Sequence, residues 1–118
     1  MRHRKKKNKI RCSASHRKAL TANMIISLIL HSKLVTTEGK ARIVASEAES
    51  FLSRACSESD SRKRKLYLHQ FLNNDAAEKK VVTDLVKKYA NKKSGFVRVL
   101  KIGARKGDGA RTCQIELI

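Results

Sequence analysis

The first 37 residues of this chain contain no acidic side chain. Arg2, Arg4, Lys5, Lys6, Lys7, Lys9, Arg11, Arg17, Lys18 and Lys33 lie there, and the first acid is Glu38. A block of one sign repels itself and does not fold alone. It needs a dense polyanion to settle on, and nucleic acid is the commonest such partner inside a cell. Residues 1–12 therefore read as an extended basic arm, and residues 13–118 as a single domain that carries it.

Other shortages narrow the chemistry. There are three cysteines, Cys12, Cys56 and Cys113, and no Cys-x-x-Cys, so zinc-ribbon and thioredoxin-type sites lose their usual signal. The odd, scattered set fits a reducing compartment. His3, His16, His31 and His69 show no metal spacing, so no metal and no cofactor are expected. No serine sits in a nucleophile elbow and no acid pair is marked out for proton transfer. The reading is a protein that is not an enzyme and has no small-molecule substrate. The longest apolar run, from Met24 to Leu30, is too short to span a bilayer, so no membrane insertion is expected. Aromatics make up only 4% of the chain, without the paired exposed rings of an RNA-recognition motif. Contact with a structured RNA through backbone and shape fits this composition better than stacking on single-stranded bases.

What is present is charge and helical periodicity. The net charge is +18 over 118 residues, far beyond what solubility needs. Residues 1–37 contribute +10, residues 38–91 +3 and residues 92–118 +5. By charge the two ends are the binding surfaces, and the middle reads as ordinary solvated helix. Apolar residues reach 41%, enough for the body to fold despite the charge.

Ser13 or Ser15 can cap a helix over about 14–31, in which Leu20, Met24 and Leu28 recur on one line and Ile25, Ile26, Ile29 and Leu30 widen it. A helix apolar on most sides is a central one. The short β-branched stretch Leu34-Val35-Thr36-Thr37 follows, with Thr37 as the next cap. Ala41, Val44, Ala45, Ala48, Phe51, Leu52 and Ala55 form the cleanest amphipathic pattern. A third helix is predicted over Arg62 to Leu72. A fourth opens on a capping box of Asp75 and Glu78 and carries Ala77, Val81, Val82, Leu85, Val86 and Tyr89 on its stripe. After Asn91 the pattern turns strand-like over Phe96 to Ile102 and again over Thr112 to Ile118, joined by a glycine-rich loop from Gly103 to Ala110. The expected fold class is α+β: three to four helices packed on a small sheet that contains a C-terminal β-hairpin, with the Val35 segment as its third strand. Gly107 and Gly109 serve backbone geometry and Asp108 forms the turn.

These pieces together resemble the bacterial ribosomal large-subunit protein seventeen family. The likeness starts at Met1-Arg2-His3 and continues at His16-Arg17-Lys18-Ala19-Leu20. It resumes at Val35-Thr36-Thr37 and Lys40-Ala41-Arg42, then at Gly95-Phe96-Val97-Arg98-Val99, Arg105-Lys106-Gly107-Asp108 and Ile115-Glu116-Leu117. The chain departs from the family in having no proline where the family often turns with one, at Ile43-Val44-Ala45, and residues 55–75 match only in character. The resemblance implies a cytoplasmic structural component of the large ribosomal subunit. Its partners would be 23S ribosomal RNA and neighbouring large-subunit ribosomal proteins. Its RNA-binding residues would be Arg2, His3, Arg4, Lys5, Lys6, Lys7, Lys9, Arg11, His16, Arg17 and Lys18, with Lys40, Arg98, Lys101, Arg105 and Lys106 as a second group. A DNA-binding module is the alternative that charge alone permits.

Overall fold

The computed structural model describes His3 and residues 9–118. The chain runs α1 (Ala14–His31), β1 (Lys33–Thr37), α2 (Glu38–Ser57), α3 (Ser61–Leu72) and α4 (Asp75–Lys80). A π-helical turn (Val81–Leu85) and a last helical turn, α5 (Val86–Lys88), continue α4, and β2 (Val97–Ala104) and β3 (Arg111–Leu117) close the fold. The class is α+β, with one three-stranded antiparallel sheet in the order β1-β3-β2.

Helix α1 forms where the apolar run predicts it. Ser13 Oγ accepts the His16 N–H at its start, and Ser32 in the left-handed conformation ends it. The Lys80 Nζ reaches across to donate to the Leu30 carbonyl at 2.8 Å, satisfying an acceptor that the helix leaves open. The buried line runs through Thr21, Ile25, Leu28 and Ile29, one residue round from the expected Leu20-Met24 line. Thr21 can lie there because its hydroxyl donates to the Arg17 carbonyl at 2.9 Å.

Helix α2 buries Ala41, Val44, Ala48, Phe51, Leu52 and Ala55, while Ala45 is only half-buried. Thr37 precedes it in extended geometry, but its side chain makes no capping bond. Phe51 stacks on Phe71 and Tyr67, with ring centroids 4.7 and 5.6 Å away. That cluster fastens α3 to α2. Asp60 caps α3 by accepting the Arg62 N–H, so the helix opens at Ser61, one residue before the expected start.

The fourth helix departs from the reading in two places. Its cap is Asn74, which accepts the Ala77 N–H at 3.0 Å, and Asp75 is the first residue inside. Its buried residues are Ala77, Val81, Leu85 and Tyr89, four apart throughout, while Val82 is exposed. In a regular helix of 3.6 residues per turn, steps of four drift by about 40° each. The wider π-helical turn at Val81–Leu85 takes up that drift and keeps all four on one line.

In the sheet, Thr36, Cys113 and Lys101 lie opposite one another, as do Leu34, Ile115 and Val99. Cys113 and Ile115 are buried, so this face meets the helices. The other face carries Val35, Gln114 and Leu100 in one row and Lys33, Glu116 and Arg98 in the next. Strand β2 begins at Val97 and runs on to Ala104, two residues beyond the expected end, so Gly103 lies in the strand beside a bulge at Ile102. Phe96, just before it, is fully buried against Tyr89, ring edge to face at 5.0 Å. The Tyr89 hydroxyl donates to the Ile118 carbonyl at 2.9 Å.

Candidate nucleic-acid interface

The predicted cations fall on three parts of the molecule. The first is the arm and the start of α1. Arg2, Arg4, Lys5, Lys6 and Lys7 lie outside the described residues. His3, Lys9 and Arg11 are exposed. His16 and Lys18 are exposed on the first turns of α1, which hold no acid. Arg17 is different, because its side chain folds back. Nη2 donates to the Cys12 carbonyl at 3.1 Å, and Nε is buried with no acceptor among the described residues. It ties Cys12 to the start of α1, and with Lys18 it lines a cavity of about 240 Å³ against Ile43 and Phe71.

The second part is the hairpin end. Arg105 N–H donates to the Ala110 carbonyl and Gly109 N–H to the Arg105 carbonyl, which closes the loop. Asp108 accepts from Arg105 Nε at 3.1 Å and from Arg105 Nη2, and it also accepts the Ala110 N–H. The Arg105 hydrogen bond, then the Ala110 N–H, hold its carboxyl down to about 2 from an ordinary 3.8. This contact is present above pH 4 and is lost as pH falls through about 2. Arg105 is thus aimed by a neighbour, whereas Lys106 is exposed without an ion-pair partner among the described residues. Lys101 lies at the root of the hairpin, where it shares a depression of about 290 Å³ with Arg111, Glu38 and Cys113. Lys40 is exposed on the first turn of α2, two residues beyond Glu38.

The third part is the open sheet face. There Arg98 pairs with Glu116 at 3.3 Å, and Lys33 lies on the other side of the same glutamate. Helix α1 sets about 26 Å between its own first turn and the start of β1, so His16 and Lys18 lie far from this row. Arg111 and Lys33 are exposed cations outside the expected RNA-binding set. Their places depend on strand register, which spacing alone does not reveal.

Among the described residues one cluster has metal-ligand types. A ligand atom each of His69, Asp75 and Glu78 lies within 4.8 Å of the others. Asp75 and Glu78 occupy the first turn of α4, where the helix dipole favours acids, and Glu78 pairs with His69 Nδ1 at 3.2 Å. Helix-end electrostatics account for this cluster. No helix among the described residues is long and apolar enough to cross a membrane.

The hairpin end gives a local test. Gly107 and Gly109 have φ of 104° and 66°, and an added Cβ would meet nothing within 4 Å at either. The cost of a side chain there is backbone strain alone. Gly109→Val is expected to lower stability by about 1 kcal/mol or more, read by thermal unfolding. Asp108→Asn keeps the turn-forming side chain and is expected to leave the unfolding temperature near the parent's at pH 7. A clearly lowered unfolding temperature in Asp108→Asn would mean that the charged contact with Arg105, and not the turn alone, holds the loop.

The molecule is a small α+β body with exposed cations at an acid-free helix start and at a hairpin end, and its sequence is similar to ribosomal proteins along its whole length. The family model described as "Ribosomal protein L17" matches residues 20–118. The large ribosomal subunit protein bL17 of Porphyromonas gingivalis is 38% identical over 118 residues, covering all of this chain and 72% of that protein. The bL17 of Dictyoglomus thermophilum is 38% identical over the full length of both. That of Thermotoga maritima is 33% identical, covering all of this chain and 95% of its own. The chain belongs to the ribosomal protein L17 family.

Proposed function

We propose that this chain is a non-enzymatic structural constituent of the large ribosomal subunit in the cytoplasm, and that it binds and stabilises folded 23S ribosomal RNA. Residues 1–12 act as the arm and residues 13–118 as one folded body. The observation that carries this reading is the spread of cations over separate surfaces of a small body. His16 and Lys18 lie beside the arm, Lys101, Arg105 and Lys106 lie on the hairpin, and Arg98 lies on the open sheet face. A single patch would serve one phosphate track. Several patches suit a site where RNA helices crowd together and each needs its phosphates neutralised. The relatives' names, as proteins of the large ribosomal subunit, support the same assignment.

Within it, Arg2, His3, Arg4, Lys5, Lys6, Lys7, Lys9, Arg11, His16, Arg17 and Lys18 form the main contact, and Lys40, Arg98, Lys101, Arg105 and Lys106 a second. Neighbouring ribosomal proteins complete the surroundings. Sedimentation of a cell extract on a sucrose gradient tests the assignment. The chain is expected in the large-subunit and whole-ribosome fractions, and its absence from both would contradict it.

A further inference from the structure

The exposed face of α3 holds none of the residues assigned so far. Arg62, Lys63, Leu66 and Gln70 follow one another along it, Lys65 flanks them, and none of them is buried. Helix α3 holds no acid within Ser61–Leu72, its one acidic neighbour there being the cap Asp60, while α2 and α4 carry Glu38 and Asp75 with Glu78 in their first turns. Its cations stand near the positive end of the helix dipole, where stability favours the opposite sign. Arg64 has a structural use, since its Nε donates to the Ala55 carbonyl at 3.0 Å and its Nη2 to the Glu58 carbonyl. The side chains of Arg62, Lys63 and Lys65 make no hydrogen bond or ion pair among the described residues.

Beside these cations the surface is shaped for more than charge. A groove of about 220 Å³ is lined by Arg54, Glu58, Lys63, Leu66, Tyr67 and Gln70, and the Glu58 carboxylate is already engaged, accepting the Asp60 N–H at 3.2 Å. The Arg54 guanidinium lies over the Tyr67 ring, 4.4 Å from its centroid. Leu66 is 61% exposed at the groove's edge. A planar cation already stacked on a ring offers its outer face to a second flat group, and an exposed leucine beside it offers apolar contact. Three cations without an ion pair among the described residues and an exposed leucine share one face without a structural return, which fits a functional surface.

We propose that the exposed face of α3 is a further RNA-binding site, taking an unpaired nucleotide whose phosphates meet Arg62, Lys63 and Lys65 and whose base stacks in the Arg54–Tyr67–Leu66 groove. It rests on the reading that the partner is RNA. Charge complementarity selects that occupant, because a protein chain would have to be strongly acidic to match the face. The sparse aromatics of the sequence argued against base stacking, but Tyr67 and Arg54 come together only through the packing of α3 on α2.

Three full-length variants test it, with a 23S ribosomal RNA transcript as probe and binding measured across salt concentration. R62Q/K63Q/K65Q is expected to flatten the log–log salt slope by about 2, at roughly 0.7 per single-strand phosphate contact. K87Q/K88Q/K93Q removes the same charge from exposed positions elsewhere and is expected to leave the slope within about half a unit of the parent's. R54K keeps the charge and removes the plane, and is expected to weaken binding about fivefold at unchanged slope. The first variant is expected to unfold near the parent's temperature, since none of the three side chains makes an ion pair among the described residues. Equal slopes for the two triple variants, or full affinity in R62Q/K63Q/K65Q, would overturn the site and leave the ribosomal reading standing. If the unmutated chain prefers duplex DNA to this RNA, both fall together.

Discussion

Glu49→Ala is expected to lower the unfolding temperature by about 10 °C, the equivalent of about 2–3 kcal/mol for a chain of this length. Glu49 lies on the half-exposed side of α2, and its carboxylate accepts three consecutive backbone N–H groups: Gly95, Phe96 at 2.9 Å, and Val97 at 3.2 Å. These donors begin the C-terminal hairpin, and Phe96 among them is fully buried. Hydrogen bonds to an ionised acceptor are stronger than neutral ones, and removing the acceptor strands the Phe96 donor in the interior. Glu49→Gln keeps one acceptor oxygen and no charge, so its loss is expected to fall between parent and alanine. An unfolding temperature unchanged in Glu49→Ala would mean that Phe96 burial alone holds the hairpin to α2.

Deleting residues 2–11 is expected to flatten the log–log salt slope of ribosomal RNA binding by roughly 4–6. The deletion removes Arg2, Arg4, Lys5, Lys6, Lys7, Lys9 and Arg11, seven cations, and each phosphate contact carries about 0.7–0.9 of slope. Its unfolding temperature is expected to stay near the parent's, because the first buried residue of the described chain is Thr21. In cells the truncated chain is expected to enter large subunits poorly. The isolated arm peptide is expected to bind duplex DNA and RNA alike, since cations on phosphates carry no sequence information. A slope change below about 2, with RNA affinity retained, would move the main contact from the arm to the body.

Much of this molecule is legible in the sequence. Helix α1 is, because Ser13 and a nearly continuous apolar surface bracket it. The third strand is, because Leu34-Val35-Thr36-Thr37 is short, β-branched and followed by an acid at a helix start. What escapes is set by contacts between distant residues. Glu49 reads as a solvated helix acid, since its partners lie 46 to 48 residues on. The π-helical turn escapes because Val82 fits a regular helical stripe as well as Val81 does. On the candidate interface, local charge locates the arm and the hairpin end, but which cations are free depends on the fold. Arg98 is paired through strand register, Arg17 is folded onto Cys12, and Lys106 is unpaired among the described residues. Summing charge over residues 38–91 also averaged the acid-free α3 with its acidic neighbours, which concealed the difference between them.

In the proposed function the arm supplies charge while the body supplies shape and position. Competition of labelled intact protein between 23S ribosomal RNA and duplex DNA tests it most directly, at a salt concentration high enough to strip the isolated arm peptide from both. The intact protein is expected to remain on the ribosomal RNA. Equal partitioning between the two would contradict it and favour a general polyanion- or DNA-binding module.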